Sequence, residues 1–338
     1  MIILAFETSC DDTSIAIFDN DKLLAMDTDS QIFIHNKTGG VVPEVAAREH
    51  ANNIFKVLTN VLNSAKLGLD DIDYISVTTN PGLLPSLLTW TTVASTISTV
   101  LNKKIIPINH IEAHIFSNFL ERKEDDIEFP LVCLTVSGWH NDIYYMEGMF
   151  DIKKIGSSWD DAWWEAFDKA AKMMWLEYPG WPVISKLAEE YELEWWVSTN
   201  LFPRVWLVKR EHNFSFSGLK SSVKREVDKR KLEKWELSLE DKKEISYEFE
   251  NAVTEVLAWK LINAAKENGV KTVMLAWWVS ANNKLRKEIE KLANKEWLKF
   301  IYPIKNLYCM DNAAMVWINT FYKIKYNKFE EKIWVVKL

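Results

Sequence analysis

The chain has 338 residues, 48% of them hydrophobic and 26% charged, with a formal net charge of −7. That length can bury a sizeable core and makes two domains the natural expectation, while the negative balance argues against a protein that grips nucleic acid with its whole surface, so a DNA partner is not expected. No apolar run approaches a membrane span, so no membrane partner is expected either.

The opening Met-Ile-Ile-Leu-Ala-Phe-Glu lacks a basic n-region and a cleavage site, and Cys10, Cys133 and Cys309 show no disulfide or metal spacing. No signal peptide and a cytoplasmic location are therefore expected. Residues 1–8 read as a strand, Cys10-Asp-Asp-Thr13 as a polar turn, Ser14 to Phe18 as a second strand, and Asp19 to Lys22 as a hairpin turn into a third, Leu23 to Thr28. Ala47, Ala51, Ile54, Leu58, Val61 and Ala65 recur at helical spacing and predict a helix over 42–66. Ile72 to Thr79 is a strand ending in Asn80-Pro-Gly82, Leu83 to Leu101 an apolar helix, and Lys104 to Ile108 the end of another strand. Asn109 is a good N-cap, and Glu112, three residues on, completes a capping box, so a helix starts at His110. His110 and His114 are then four apart on one helix face, where two imidazoles can grip one metal ion. The same pair also reads as two histidines on an exposed first turn. It is not the His-Glu-x-x-His of zinc proteases, because Glu112 follows the first histidine by two.

A charged linker, Glu121 to Glu128, precedes a second half that opens like the first: strand Leu131 to Val136, turn Ser137-Gly138, strand Asp142 to Met149. Helices are predicted at about 160–175, 182–191, 218–230 and 240–268, then a strand at Lys271 to Ala276, a helix at Ser280 to Ala293, a strand at Leu298 to Tyr302 and a last helix near Asp311. The basic stretch Lys220 to Lys243 leaves a local nucleic-acid contact open, though such runs are more often a solvated helix face. The alternation implies an α/β protein of two lobes with a cleft between them: 1–125, with the helix from about 311 packing back on it, and 129–310. Ligands of such sheets bind beyond the carboxyl ends of strands. Three turns have that position: Thr8-Ser-Cys-Asp-Asp-Thr13, Val136-Ser-Gly-Trp-His140 and Ala276-Trp-Trp-Val-Ser-Ala-Asn282.

Seven segments, in order along nearly the whole chain, resemble the TsaD family, the tRNA threonylcarbamoyladenosine transferases once taken for O-sialoglycoprotein endopeptidases. They are Phe6-Glu-Thr-Ser-Cys-Asp-Asp-Thr13, Gly40-Val-Val-Pro-Glu-Val-Ala-Ala-Arg-Glu-His50, Asn109-His-Ile-Glu-Ala-His114, Asp160 to Lys169, Phe214-Ser-Phe-Ser-Gly-Leu-Lys220, Val279-Ser-Ala-Asn282 and Cys309-Met-Asp-Asn-Ala-Ala-Met315. The resemblance implies the actin-like ATPase fold shared with heat-shock chaperone ATPases and sugar kinases. It implies that His110, His114 and Asp311 bind one divalent ion, iron or zinc. It implies that Thr135, Val136, Ser137, Gly138, Trp139, Asp168, Trp181, Ser185 and Asn282 hold threonylcarbamoyl-AMP, an adenine nucleotide, and that Asp11 is a catalytic acid near its phosphate. It further implies a tRNA substrate and TsaB-like and TsaE-like partners.

Glycine occurs 10 times and tryptophan 17, where an average usage of ~7% would give roughly 24 glycines. Trp90, Trp139, Trp164, Trp175, Trp181 and the pair Trp277-Trp278 stand where the resembled family has glycine. Phosphate turns use glycine because positive φ and close backbone approach exclude a Cβ. The pattern points to UGA codons, read here as tryptophan and in the source organism as glycine. The alternative is a tryptophan-rich, inactive scaffold of the same fold. A small-molecule kinase on this superfold would not need the His110/His114/Asp311 triad, and a metalloprotease would need a general base that the chain does not offer.

Overall fold

The computed structural model describes residues 1–38, 40–137, 141–160, 162–195, 198–204 and 212–329. The chain divides into two compact units, Met1–Asp126 with Pro303–Leu338, and Ile127–Tyr302.

The first unit is built on β1 (Ile2–Glu7), β2 (Asp12–Asp19) and β3 (Lys22–Ser30), followed by α1 (Ile32–Asn36), α2 (Pro43–Ala65), β4 (Tyr74–Asn80), α3 (Leu84–Leu101), β5 (Lys104–Asn109) and α4 (His110–Phe116). The sheet order is β3-β2-β1-β4-β5, with β1, β2 and β3 antiparallel and β4 and β5 parallel to β1. A central strand covered on both faces must be apolar throughout rather than alternating, and Ile3, Leu4, Ala5 and Phe6 are all fully buried. Leu4 and Phe6 join Ile54, Val57, Leu58 and Val61 of α2 and Trp90 and Ala94 of α3 in one core.

The second unit contains β6 (Leu131–Val136), β7 (Asn141–Gly148), β8 (Asp151–Ser157), α5 (Trp163–Met173), α6 (Gly180–Trp195), α7 (Ser217–Lys234), α8 (Leu239–Glu267), β9 (Thr272–Ala276), α9 (Asn283–Lys295) and β10 (Lys299–Ile301). The chain then returns to the first unit as α10 (Ala313–Lys325), which packs on β1, β2 and β4 and sets Trp317 against Phe18 with ring centroids 3.6 Å apart. The second sheet reads β10-β9-β6-β7-β8, the same topology as the first: a hairpin-connected antiparallel trio, then two parallel strands on the far side of the trio's first strand.

Local chemistry sets the helix limits. The predicted helix at Ser280 begins as a 3₁₀ turn, Trp278–Ala281; α9 starts only at Asn283, because the Asn282 side chain accepts from the Leu285 N–H at 2.7 Å. Likewise Asn312 caps α10 through the Met315 N–H at 3.1 Å. The charged strand β8 and the short α1 had no clear periodicity in the sequence. Among the described residues, ten that are not glycine have positive φ; four are asparagine, which tolerates that region, and four are tryptophan: Trp175, Trp235, Trp277 and Trp297. An L side chain there costs roughly 1–2 kcal/mol.

The start of α8 is held by charge. Ser238 and Asp241 form a capping box, and Arg230 (2.8 Å) and Lys234 (2.9 Å) also donate to the Asp241 carboxylate. Burial by itself would raise that carboxyl, but the bonds from Lys234, Ser238 and Arg230 prevail and pull its pKa from 3.8 to about 2. A carboxyl depressed in the folded state adds stability that is present above the unfolded pKa and lost as pH falls through the folded one. Asp241→Asn should therefore cost about 1–2 kcal/mol at neutral pH after allowance for solvent screening. Denaturant titration of both proteins should show that difference shrinking as pH falls through 4 towards 2; a difference that is independent of pH would contradict this account.

Candidate functional site

In the first unit, β1, β4 and β5 run parallel and end together. Glu7 closes β1 and accepts from the Thr78 hydroxyl of β4 at 2.5 Å. At the end of β5, the Asn109 side chain accepts from the Ile111 and Glu112 amides at 2.9 and 3.1 Å and starts α4. The N-cap is as the sequence predicts. The capping box is not completed, because the Glu112 carboxylate pairs with Lys323 at 3.0 Å.

His110 and His114 occupy the first turns of α4 and are buried, so the exposed-turn reading is excluded. Their rings meet edge to face, 4.6 Å between centroids. Asp311, buried just before α10, places Oδ1 2.9 Å from His114 Nε2 and 3.7 Å from His110 Nε2. One donor atom from each residue lies within 4.8 Å of the others. Two imidazoles and one carboxylate are a donor set that fits a divalent transition metal.

Behind this triad, His110 Nδ1 lies 3.0 Å from Ser9 Oγ and 3.4 Å from Glu7 Oε2, and Glu7 Oε1 accepts from the Ser9 N–H at 2.7 Å. The Glu7 carboxylate on Nδ1 orients the ring so that Nε2 faces Asp311. Burial would lift the Glu7 pKa, but His110 outweighs it and holds the carboxyl below its usual range. His114 is pushed down to about 4, by burial first and the neighbouring His110 second, so it is neutral.

The turn between β1 and β2 lies near this centre. Asp11 is raised, chiefly by burial and then by the charge of Asp311. Asp12 rises to about 8, from burial and then Asp11. His50 fixes the turn: its Nε2 lies 3.0 Å from the Cys10 carbonyl, and its Nδ1 lies 2.8 Å from the Thr13 hydroxyl.

In the second unit, Thr135 of β6 pairs with Ala276 of β9, so the turns after these strands leave the sheet side by side at its carboxyl end. Thr135, Val136 and Ser137 are buried there, whereas Gly138 and Trp139 lie outside the described residues. Asp168 accepts from the Gly180 N–H at 2.7 Å at the start of α6, next to Trp181. The ring of Trp164 is 5.9 Å from those of both Trp181 and Trp278, so indoles crowd the side chains expected to hold the nucleotide. Ser185 and Asn282 converge on one atom, Oε1 of Glu250, at 2.6 and 2.9 Å.

The TsaD family model, tRNA N6-adenosine threonylcarbamoyltransferase, matches residues 22–317. The chain belongs to the TsaD family. It is 41% identical to the tRNA N6-adenosine threonylcarbamoyltransferase of Persephonella marina over 96% of this chain and 91% of that one. For the Fusobacterium nucleatum relative of the same name the values are 41%, 98% and 94%. Two solved structures share the fold: T. kodakarensis HypF, with a TM-score of 0.63 at 13% identity, covering 99% of this chain and 49% of that one, and component A of the Acidaminococcus fermentans (R)-2-hydroxyglutaryl-CoA dehydratase, with 0.52 at 12%, covering 96% and 99%. The TsaD chain is thus an α/β protein of the actin-like ATPase fold.

Two residues of this TsaD chain escaped the sequence reading, Glu7 and Glu250, while Ser9 lies in the first of the three predicted ligand turns. A carboxylate that closes an otherwise apolar strand was the available signal for Glu7. Glu250 lies inside the 29-residue α8, and nothing in the sequence around it marks it. Loss of an outer-shell partner of a metal-bound imidazole typically weakens binding 10–100-fold, so Glu7→Gln should lower zinc affinity by about that factor without unfolding the protein. Competitive chelator titration with circular dichroism would measure both, and unchanged affinity would remove Glu7 from the centre.

Proposed function

We propose that this chain transfers the threonylcarbamoyl group from threonylcarbamoyl-AMP to the exocyclic amine of the adenosine just 3′ of the anticodon in tRNAs that read codons beginning with A. The single observation that carries the reading is the buried convergence of His110, His114 and Asp311 in a member of this family. In the reaction the amine nitrogen bonds to the carbamoyl carbon, the bond from that carbon to the phosphate oxygen breaks, AMP leaves with the electron pair, and the amine loses a proton.

The chain's own residues divide these tasks. His110, His114 and Asp311 are the proposed ligands of one iron or zinc ion, which when bound supplies Lewis-acid stabilisation of developing negative charge. Glu7 and Ser9 hold His110 in orientation. Asp168, Ser185, Asn282, the strand-end residues Thr135 to Ser137 with Gly138, and positions 139 and 181 are the proposed adenylate-binding group. Glu250 positions Ser185 and Asn282 through the two hydrogen bonds to its carboxylate. Asp11 is the candidate acid beside the phosphate. Among the described residues no helix is long and apolar enough to cross a membrane. By family resemblance the working site is the cytoplasm, with TsaB-like and TsaE-like partners. The kinase and protease readings have no observation in their favour.

With glycine at the turn positions now occupied by tryptophan, the purified protein, threonylcarbamoyl-AMP and its partner proteins should yield threonylcarbamoylated tRNA, detected by nucleoside mass spectrometry. His110→Ala should lower the rate by at least about 100-fold. Full activity in His110→Ala after metal removal would refute a Lewis-acid role.

A further inference from the structure

Among the described residues, four backbone positions have a conformation that suits glycine and carry tryptophan. Three of them end helices. At the end of α5, the Trp175 N–H donates to the Lys172 carbonyl at 3.2 Å and the Leu176 N–H to the Ala171 carbonyl at 3.0 Å, with Trp175 at φ 58°. At the end of α9, the Trp297 N–H reaches Asn294 at 3.4 Å and the Leu298 N–H reaches Ala293 at 2.9 Å, with Trp297 at φ 58°. These are Schellman motifs, whose left-handed residue is usually glycine.

The chain supplies its own control. At the end of α8, the Gly269 N–H donates to Lys266 at 3.2 Å and the Val270 N–H to Ala265 at 3.0 Å, with Gly269 at φ 65°. The same pair of bonds ends α2 at Lys66 and α10 at Asn327, so among the described residues this device carries lysine, asparagine, one glycine and two tryptophans; tryptophan is the bulkiest of these. Trp235, which ends α7, has φ 69° and ψ −42°. Trp277 has φ 76° and ψ −174°, a region reached essentially by glycine alone.

Packing does not explain the three tryptophans that end helices, whereas Trp277 is buried, 6% exposed. Trp175, Trp235 and Trp297 are 79%, 91% and 92% exposed. The largest apolar side chain thus stands in water where the backbone asks for none. Across the chain, 10 glycines and 17 tryptophans add to 27, close to the roughly 24 glycines of an average composition. UGA differs from the glycine codon GGA in its first base alone, so a glycine tRNA with one altered anticodon base would read it.

We propose that UGA specifies glycine in this gene and that the native protein carries glycine at 175, 235, 277 and 297. In that chain the helix ends at 175, 235 and 297 are unstrained, and the turn after β9 exposes bare backbone amides at 277. Where UGA also encodes 164, 181 and 278, the indole cluster beside Asp168 is replaced by open space. The inference rests on backbone geometry and composition and stands independently of the transferase reading.

The test is peptide mass spectrometry on the protein isolated from its own organism, over peptides spanning 170–180, 230–240, 271–286 and 294–300, together with the gene's codons. Glycine masses at all four positions, with UGA codons, are expected. Tryptophan mass, or a UGG codon, at any of the four overturns the proposal. A second readout uses recombinant chains: combined Trp175→Gly, Trp235→Gly and Trp297→Gly should raise the denaturant midpoint relative to the tryptophan version, and an unchanged or lower midpoint counts against it.

Discussion

Everything at the first-unit site depends on holding two buried imidazoles and a carboxylate from a remote segment at one point. His114 and Asp311 are 197 residues apart in sequence and 2.9 Å apart in space. Burying three such groups without a compensating partner is costly, so the surrounding structure must over-determine them. It does so through the Asn109 cap that starts α4, through Glu7 at the end of β1, and through the Asn312 cap that starts α10 directly after Asp311. The Ala313 N–H also donates to Ser14 Oγ of β2 at 3.0 Å, tying the returning helix to the same sheet. The chemistry is thereby set by strand and helix ends rather than by free loops.

The two units repeat one strand topology, and the candidate residues of each leave its sheet at the same end. Glu7 and Asn109 close β1 and β5 in one sheet; Ser137 and Asn282 follow β6 and β9 in the other. The parallel strands impose this, because their carboxyl ends and the amino ends of the following helices share one edge. In both units a buried glutamate gathers the functional side chains: Glu7 beneath His110, and Glu250 beneath Ser185 and Asn282. The unusual feature is what stands in the turns. Trp277 at positive φ after β9 and a cluster of indoles beside Asp168 stand where the resembled family has glycine.

Much of this was legible in sequence where a short-range rule governs. The spacing of Ile54, Leu58 and Val61 gave α2, Asn109 gave the start of α4, and the four-residue interval gave the shared face of His110 and His114. That Asp311 completes the triad was available only through family resemblance, since its approach is a tertiary fact. Glu7 carried a local signal, a carboxylate closing an apolar strand, whereas Glu250 was missed because its role comes from cross-element hydrogen bonds that no local pattern encodes. Glu112 was misassigned for the same reason: its local geometry permits a capping box, and Lys323 of a distant helix draws it away. The tryptophan excess was visible in composition, but only the φ angles show that several sit where a Cβ is a burden.

X-ray absorption at the zinc edge of the zinc-loaded protein asks whether the triad is a metal centre. The expected first shell is two imidazole nitrogens with oxygen, at about 2.0–2.2 Å, and it loses imidazole scattering in His110→Ala. A shell dominated by sulfur from Cys10, Cys133 or Cys309, or one unchanged by that substitution, would contradict a metal centre at the triad.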